Sequence, residues 1–179
     1  RDGYLFPTAV LSPSDAHAAR EHCLALMDDP GVELPTSTND YARSCFHAVS
    51  TEAARLAAHP EILDAVESLL GPDLLVWSVE LIIKAPHSEK MLTMHQDLNY
   101  WGFEHADGEV TAWLALGDVT VENGAMRFVR GSHRLGAVAH HDTYGENNLL
   151  SRGQEVAVEF DPADEVPVEL GPGEISLHH

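Results

Sequence analysis

Apolar and polar positions change rhythm once along this chain, near residue 71. Before it, apolar residues recur every three or four positions. From Leu74 onward they come in short runs and alternations bounded by glycine, proline and asparagine. Ser12-Pro13-Ser14-Asp15 opens a first helix, with a serine N-cap, proline at the first helical position and an acid three residues on. Ala16, Ala19, Cys23 and Leu26 follow at helical spacing, and Pro30-Gly31 closes it. A second helix opens at Pro60-Glu61, carries Ile62, Val66 and Leu69 on one face and stops at Gly71. The later pattern predicts strands over Leu74–Ile83, Val110–Leu116, Ala125–Val129, Glu155–Phe160, Val166–Leu170 and Glu174–Leu177. Helices first and strands afterwards, without alternation, argue against a doubly wound parallel sheet. Ala137–Arg152 is polar and loop-like, suited to a lid or pocket wall.

Composition narrows the class. At 179 residues one domain with a real core is expected. Ten basic residues against 29 acidic ones give a formal charge of −19. Phosphate backbones are held by clustered Lys and Arg, so a nucleic-acid role is excluded as a working reading. Net charge still allows an anionic small molecule gripped by a few local cations. No run of 18 apolar residues signals a membrane span, and no signal peptide is visible. Two cysteines, Cys23 and Cys45, do not make a disulfide scaffold, so a reducing cytoplasm is the simplest home.

The segment with the most chemistry is Met94-His95-Gln96-Asp97-Leu98-Asn99-Tyr100-Trp101. Read at a strand end, His95 and Asp97 face the same way about 6.6–6.8 Å apart, so both can reach one ion. One histidine and one carboxylate make two thirds of the facial triad that holds non-haem Fe(II). The plain alternative is a half-buried histidine beside a solvated aspartate. Of the twelve histidines, His95 alone has a positional argument behind it.

Three pieces in order carry a resemblance: His95-Gln96-Asp97 with aromatics after it, Ala112-Trp113-Leu114-Ala115-Leu116, and Glu122-Asn123-Gly124 through Gly131-Ser132-His133-Arg134. With them the chain resembles the phytanoyl-CoA dioxygenase family of Fe(II)/2-oxoglutarate oxygenases, from about Asp2 to His179. Arg130 departs from the family's proline before Gly-Ser-His, which alters a turn rather than the chemistry. The resemblance implies a mainly β fold with flanking helices, a double-stranded β-helix or jelly roll. It implies Fe(II) on His95 and Asp97, 2-oxoglutarate as co-substrate, O₂, and hydroxylation of an unactivated C–H of a small polar metabolite with release of succinate and CO₂. Asp97 favours hydroxylation, because halogenases of the family lack that carboxylate.

The last residues, Gly171-Pro172-Gly173-Glu174-Ile175-Ser176-Leu177-His178-His179, resemble a family strand that precedes the distal iron ligand and the 2-oxoglutarate-binding arginine. Both are therefore expected beyond His179. Residues 1–179 read as a single oxygenase domain cut at both ends. His179 is the fallback third ligand, and a purification-tag stub is the other reading of His178-His179.

Further residues have two readings each. Thr111 and Trp113 share a strand face and could point at the co-substrate; core packing explains Trp113 equally well. Lys84 could meet a carboxylate or cap a solvated strand end. Tyr100 and Trp101 could line the substrate pocket or the core, and Gln96 points away from the pair on an ideal strand yet stays a pocket candidate. Asn148 could hold a polar substrate or serve an ordinary turn. His133 reads as a turn and packing feature. Two other classes remain: a non-catalytic jelly-roll binding module, and a cupin-type metal hydrolase. The lack of an H-x-H pair on a strand speaks against the hydrolase.

Overall fold

A computed structural model describes residues 1–27, 44–101, 108–150 and 152–179, with Tyr100 described in its backbone only. The end of the first helix at Pro30-Gly31 lies outside the described residues. Strand β1 spans Tyr4–Ala9, followed by helices α1 (Pro13–Met27), α2 (Phe46–Val49), α3 (Thr51–Ala57), α4 (Pro60–Leu70) and α5 (Leu98–Trp101). Strands β2 (Thr111–Leu114), β3 (Arg127–Val129), β4 (His140–Asp142), β5 (Gln154–Val156), β6 (Glu165–Pro167) and β7 (Glu174–His178) complete the order. All pairing between these strands is antiparallel: β1-β7-β2 form one sheet, while β3-β6 and β4-β5 form two ribbons. None of the described helices is long and apolar enough to cross a membrane.

The two long helices form where their caps predict. Ser12 Oγ accepts from the Asp15 N–H at 3.2 Å and donates to the Asp15 carboxylate at 2.7 Å, closing the first turn of α1. Ala16, Ala19 and Cys23 are buried along one stripe. Helix α4 begins at Pro60 and ends at Gly71, whose φ of 85° suits glycine. Its Ile62 is buried, with Ala65 and Val66 packed beside it. Leu69 is 58% exposed and leaves the predicted apolar face. Helix α3, not foreseen, is capped by Ser50, whose Oγ accepts from Ala53 N–H at 3.1 Å. Cys23 and Cys45 are free thiols, and burial beside Glu52 pushes the Cys23 thiol up.

Strand β7 is the middle of its sheet and works by alternation. Ile175 and Leu177 are fully buried against Val10 and Ile62, so α4 is clamped on one face. Ser176 and His178 point to the other face, opposite Trp113 and Thr111 of β2. A second cluster of Ala115, Val168 and Leu170 packs with Phe6, Trp113 and Phe128. The turn into β7 presses on the exit of β1: the Gly173 carbonyl accepts from Val10 and Leu11 N–H at 2.9 and 3.0 Å. A Cβ on Gly173 (φ 88°) would clash with the Leu11 carbonyl oxygen.

Two sequence expectations fail for one reason. Leu74–Ile83 is not a ladder strand; among the described residues it has a single bridge, Cys45–Val79, and Leu75 is 87% exposed. Conversely β1 was not foreseen, because Pro7 has no N–H to give a ladder and the pairing with β7 shifts register between Leu5 and Thr8. Apolar content nominates a strand, but a neighbouring backbone makes one. The loop predicted over Ala137–Arg152 also contains β4.

Leu177→Ala is expected to cost about 2–5 kcal/mol of stability by cavity formation, read as a lower urea midpoint with unchanged slope. Gly173→Ala should destabilise too, despite adding only a methyl group; a midpoint equal to the parent's would contradict the close approach to Leu11.

Candidate functional site

His95 and Asp97 lie in irregular chain leading into α5, and not on a strand as the alternation suggested. The expected same-face spacing is nevertheless exceeded in closeness: His95 Nε2 stands 3.2 Å from Asp97 Oδ1. The Thr93 carbonyl, 2.7 Å from His95 Nδ1, can only accept, so Nδ1 carries the hydrogen of the neutral ring. Nε2 then turns a lone pair toward a carboxylate oxygen. Two lone-pair atoms this close need a positive charge between them, either a proton or a metal ion. Burial alone would lower the His95 pKa, but the bonds to Asp97 and the Thr93 carbonyl, with the Asp97 charge, outweigh it and raise it.

Asp97 gathers two more partners. Thr111 Oγ1, on β2, donates to Oδ2 at 2.6 Å, and His178 Nε2, on β7, lies 3.5 Å from the same oxygen. The β2–β7 register pairs Thr111 directly with His178, so one strand pair delivers both groups. The His178 ring is seated on Phe128, centroids 4.7 Å apart. Burial would push the Asp97 carboxyl up, yet hydrogen bonds from His178, His95 and Thr111 and the His178 charge hold it far below the ordinary carboxylate range. A cavity of about 350 Å³ borders His178, Glu109 and His133. Burial raises the Glu109 carboxyl, and Glu109 Oε2 and His178 Nδ1 are buried without a hydrogen-bond partner among the described residues.

The donor set fits a divalent ion in part: a neutral imidazole nitrogen and an anionic oxygen converge, with orienting bonds behind each. Among the described residues no three His, Cys, Asp or Glu side chains are placed to hold one ion. His178 therefore serves the carboxylate. His179, the fallback ligand, is exposed, and its neighbour His178 takes the place beside Asp97.

The remaining candidates divide. Thr111 joins the cluster through Asp97 rather than through a free hydroxyl. Trp113 packs into the apolar cluster of Ala115 and Val168. Lys84 is outside the Asp97 contacts, its ammonium donating to the Gly124 carbonyl at 2.6 Å. Gln96 spends its amide on Gly136 and Val138. Asn148 donates to Thr93 Oγ1 at 2.8 Å and accepts from Leu150 N–H, so it braces the His95 loop. Trp101 is half-buried on α5, next to the pair in sequence, and the Tyr100 side chain lies outside the described residues. His133 sits in a 3-10 turn against Gly3. The sequence offers His178 only together with His179, as a possible substitute ligand, and not as a partner of Asp97. Its signal was the Ile-Ser-Leu-His alternation, which marks a polar face without saying what it meets.

A protein-family model described as phytanoyl-CoA dioxygenase (PhyH) matches residues 1–179. The human peroxisomal phytanoyl-CoA dioxygenase is 36% identical over 116 residues, 63% of this chain and 32% of that protein. The L-proline trans-4-hydroxylase of Streptomyces griseoviridis is 28% identical over 144 residues, 77% of this chain and 54% of that protein. Among solved structures, the apo form of the non-heme monooxygenase ThoJ superposes with a TM-score of 0.87 at 39% identity, covering 99% of this chain and 65% of that one. The epimerase SnoN, solved with Fe³⁺, alpha-ketoglutarate and nogalamycin RO, gives a TM-score of 0.63 at 25% identity over 100% of this chain and 70% of its own. The chain thus spans about a third of the human relative's length.

A carboxyl held low in the folded state stabilises it above the unfolded pKa near 4 and loses that contribution as pH falls. Acid should therefore weaken the protein progressively from about pH 5 downward. Thr111→Val, which removes a donor to Asp97 at nearly constant shape, should lower the urea midpoint at about pH 7, where the carboxyl is ionised in both folded and unfolded chains. A midpoint at that pH equal to the parent's would show that Thr111 does not hold the Asp97 charge.

Proposed function

The chain belongs to the phytanoyl-CoA dioxygenase family, and we propose from that premise that residues 1–179 carry the metal-ligand part of a non-haem iron, 2-oxoglutarate-dependent hydroxylase domain of double-stranded β-helix fold. The observation that supports this most is the approach of His95 Nε2 to Asp97 Oδ1 at 3.2 Å, with His95 Nδ1 already committed to Thr93. That geometry asks for a cation, and an Fe(II) ion on these two atoms answers it. A distal histidine following His179, where the family's pattern has it, would be the third protein ligand.

Fe(II) with bound 2-oxoglutarate and O₂ supplies the oxidising chemistry: one oxygen atom ends in succinate as CO₂ leaves, the other in the hydroxyl of the product. The protein's own residues do the rest. His95 presents its Nε2 lone pair because the Thr93 carbonyl fixes the tautomer. Asp97 stays ionised because Thr111 and His178 share its second oxygen. Phe128 seats the His178 ring, and Tyr4, Phe6 and Phe128 form a half-buried aromatic wall on that side. Trp113 supports this wall from the apolar cluster.

The substrate is proposed to be a small polar metabolite, with Trp101, four residues after Asp97, as a pocket residue. Two of the relatives act on different molecules, as the names L-proline trans-4-hydroxylase and phytanoyl-CoA dioxygenase say. A chain with only ten basic residues has little to grip a CoA.

Anaerobic titration of the protein with Fe(II) and 2-oxoglutarate is expected to give a visible metal-to-ligand charge-transfer band that vanishes in His95→Ala and Asp97→Ala. Absence of the band in the folded full-length protein, with the distal histidine present, would exclude the oxygenase reading in favour of a non-catalytic binding module. Where the band forms, succinate release with candidate small metabolites identifies the substrate.

A further inference from the structure

The residue between the two candidate ligands is built into the fold. Gln96 Nε2 donates to the Gly136 carbonyl at 2.8 Å, and Gln96 Oε1 accepts from Val138 N–H at 2.9 Å. Its backbone N–H donates to His140 Nε2 at 3.1 Å, while His140 Nδ1 lies 2.9 Å from the Val138 carbonyl. These four bonds close a bracket between residue 96 and residues 136–140. Their polarity is forced. A carbonyl only accepts, so His140 Nδ1 holds the ring hydrogen; a peptide N–H only donates, so His140 Nε2 is bare. The bracket specifies one tautomer of His140.

The same strip is bonded along its other residues. Val156 N–H donates to the Met94 carbonyl at 2.9 Å, Thr93 Oγ1 to the Gln154 carbonyl at 2.6 Å, and Ala157 N–H to the Ala139 carbonyl at 2.8 Å. A chain without regular strand geometry has no ladder to set its peptide planes. Here the planes on either side of Gln96 decide whether His95 and Asp97 converge or diverge.

We propose that Gln96 and His140 are positioning residues for the metal site. They orient the peptide between His95 and Asp97 so that Nε2 and the carboxylate converge, and they tie that spacing to the β4–β5 ribbon. Neither touches the reacting atoms. The proposal rests on the reading that His95 and Asp97 hold the metal.

Cobalt(II) alone is the probe, titrated into the protein by calorimetry and by its visible d–d absorption. His140→Leu and Gln96→Leu are expected to weaken cobalt affinity by about 10–100-fold, the range for groups that orient a metal ligand. His140→Gln, whose Oε1 can accept from the Gln96 N–H, should recover much of the loss. Thr143→Val is the control for general loosening of the same ribbon, since Thr143 Oγ1 donates to the Gly153 carbonyl at 2.6 Å and lies outside the bracket. It should lower the melting temperature and leave cobalt affinity alone. Affinities of both leucine variants within twofold of the parent would overturn the positioning role while the metal reading stands. A folded full-length parent, distal histidine included, that binds no cobalt would remove the metal reading and the proposal together. Should a leucine variant fail to fold, ¹⁵N-edited imidazole spectra of the parent decide: a bare Nε2 on His140 supports the bracket, and hydrogen on Nε2 overturns it.

Discussion

Everything at this site depends on holding one half-buried carboxylate in its ionised form. Partial burial works against the Asp97 charge, and three groups offset that: His95, Thr111 and His178. They come from three separate parts of the chain, an irregular loop, β2 and β7. A half-buried charge with partners from three places is poor at adding stability and good at demanding one arrangement. If β2 and β7 slipped by one residue, Thr111 and His178 would turn to the opposite face and the Asp97 charge would be stranded.

The register is protected by the other face of β7. Ile175 and Leu177, both buried, lock the strand to α4 and to the exit of β1. Hydrophobic burial on one side thus holds polar geometry on the other, through nothing more than the two-residue period of a strand. The tight approach of Gly173 to Leu11 sets where β7 begins, and so which residues of Ile-Ser-Leu-His face which way.

The His95 loop solves a different problem. Without a ladder of its own it borrows partners from residues 136–157, through side-chain bonds of Thr93, Gln96 and Asn148. Polar residues that look like pocket candidates in a sequence become braces here. Gln96 and Asn148 both change role in that way. Gln96 uses both ends of its amide, and Asn148 has its amide on Thr93 and its oxygen on Leu150.

Much of this was legible in the residues. The caps of α1 and α4, the switch from helices to strands, the pair His95 and Asp97 and the family were all readable, because each is carried by local order along the chain. The β1 strand, the failure of Leu74–Ile83 to pair and the place of His178 were not. Those depend on which backbone lies alongside which, a relation between distant residues that no local pattern encodes. The sequence by itself determined that a histidine and a carboxylate stand two residues apart and that β7 would have one apolar and one polar face. Only the tertiary structure decided that the polar face of β7 meets Asp97, because pairing Thr111 with His178 takes a sheet register set by packing across the whole chain.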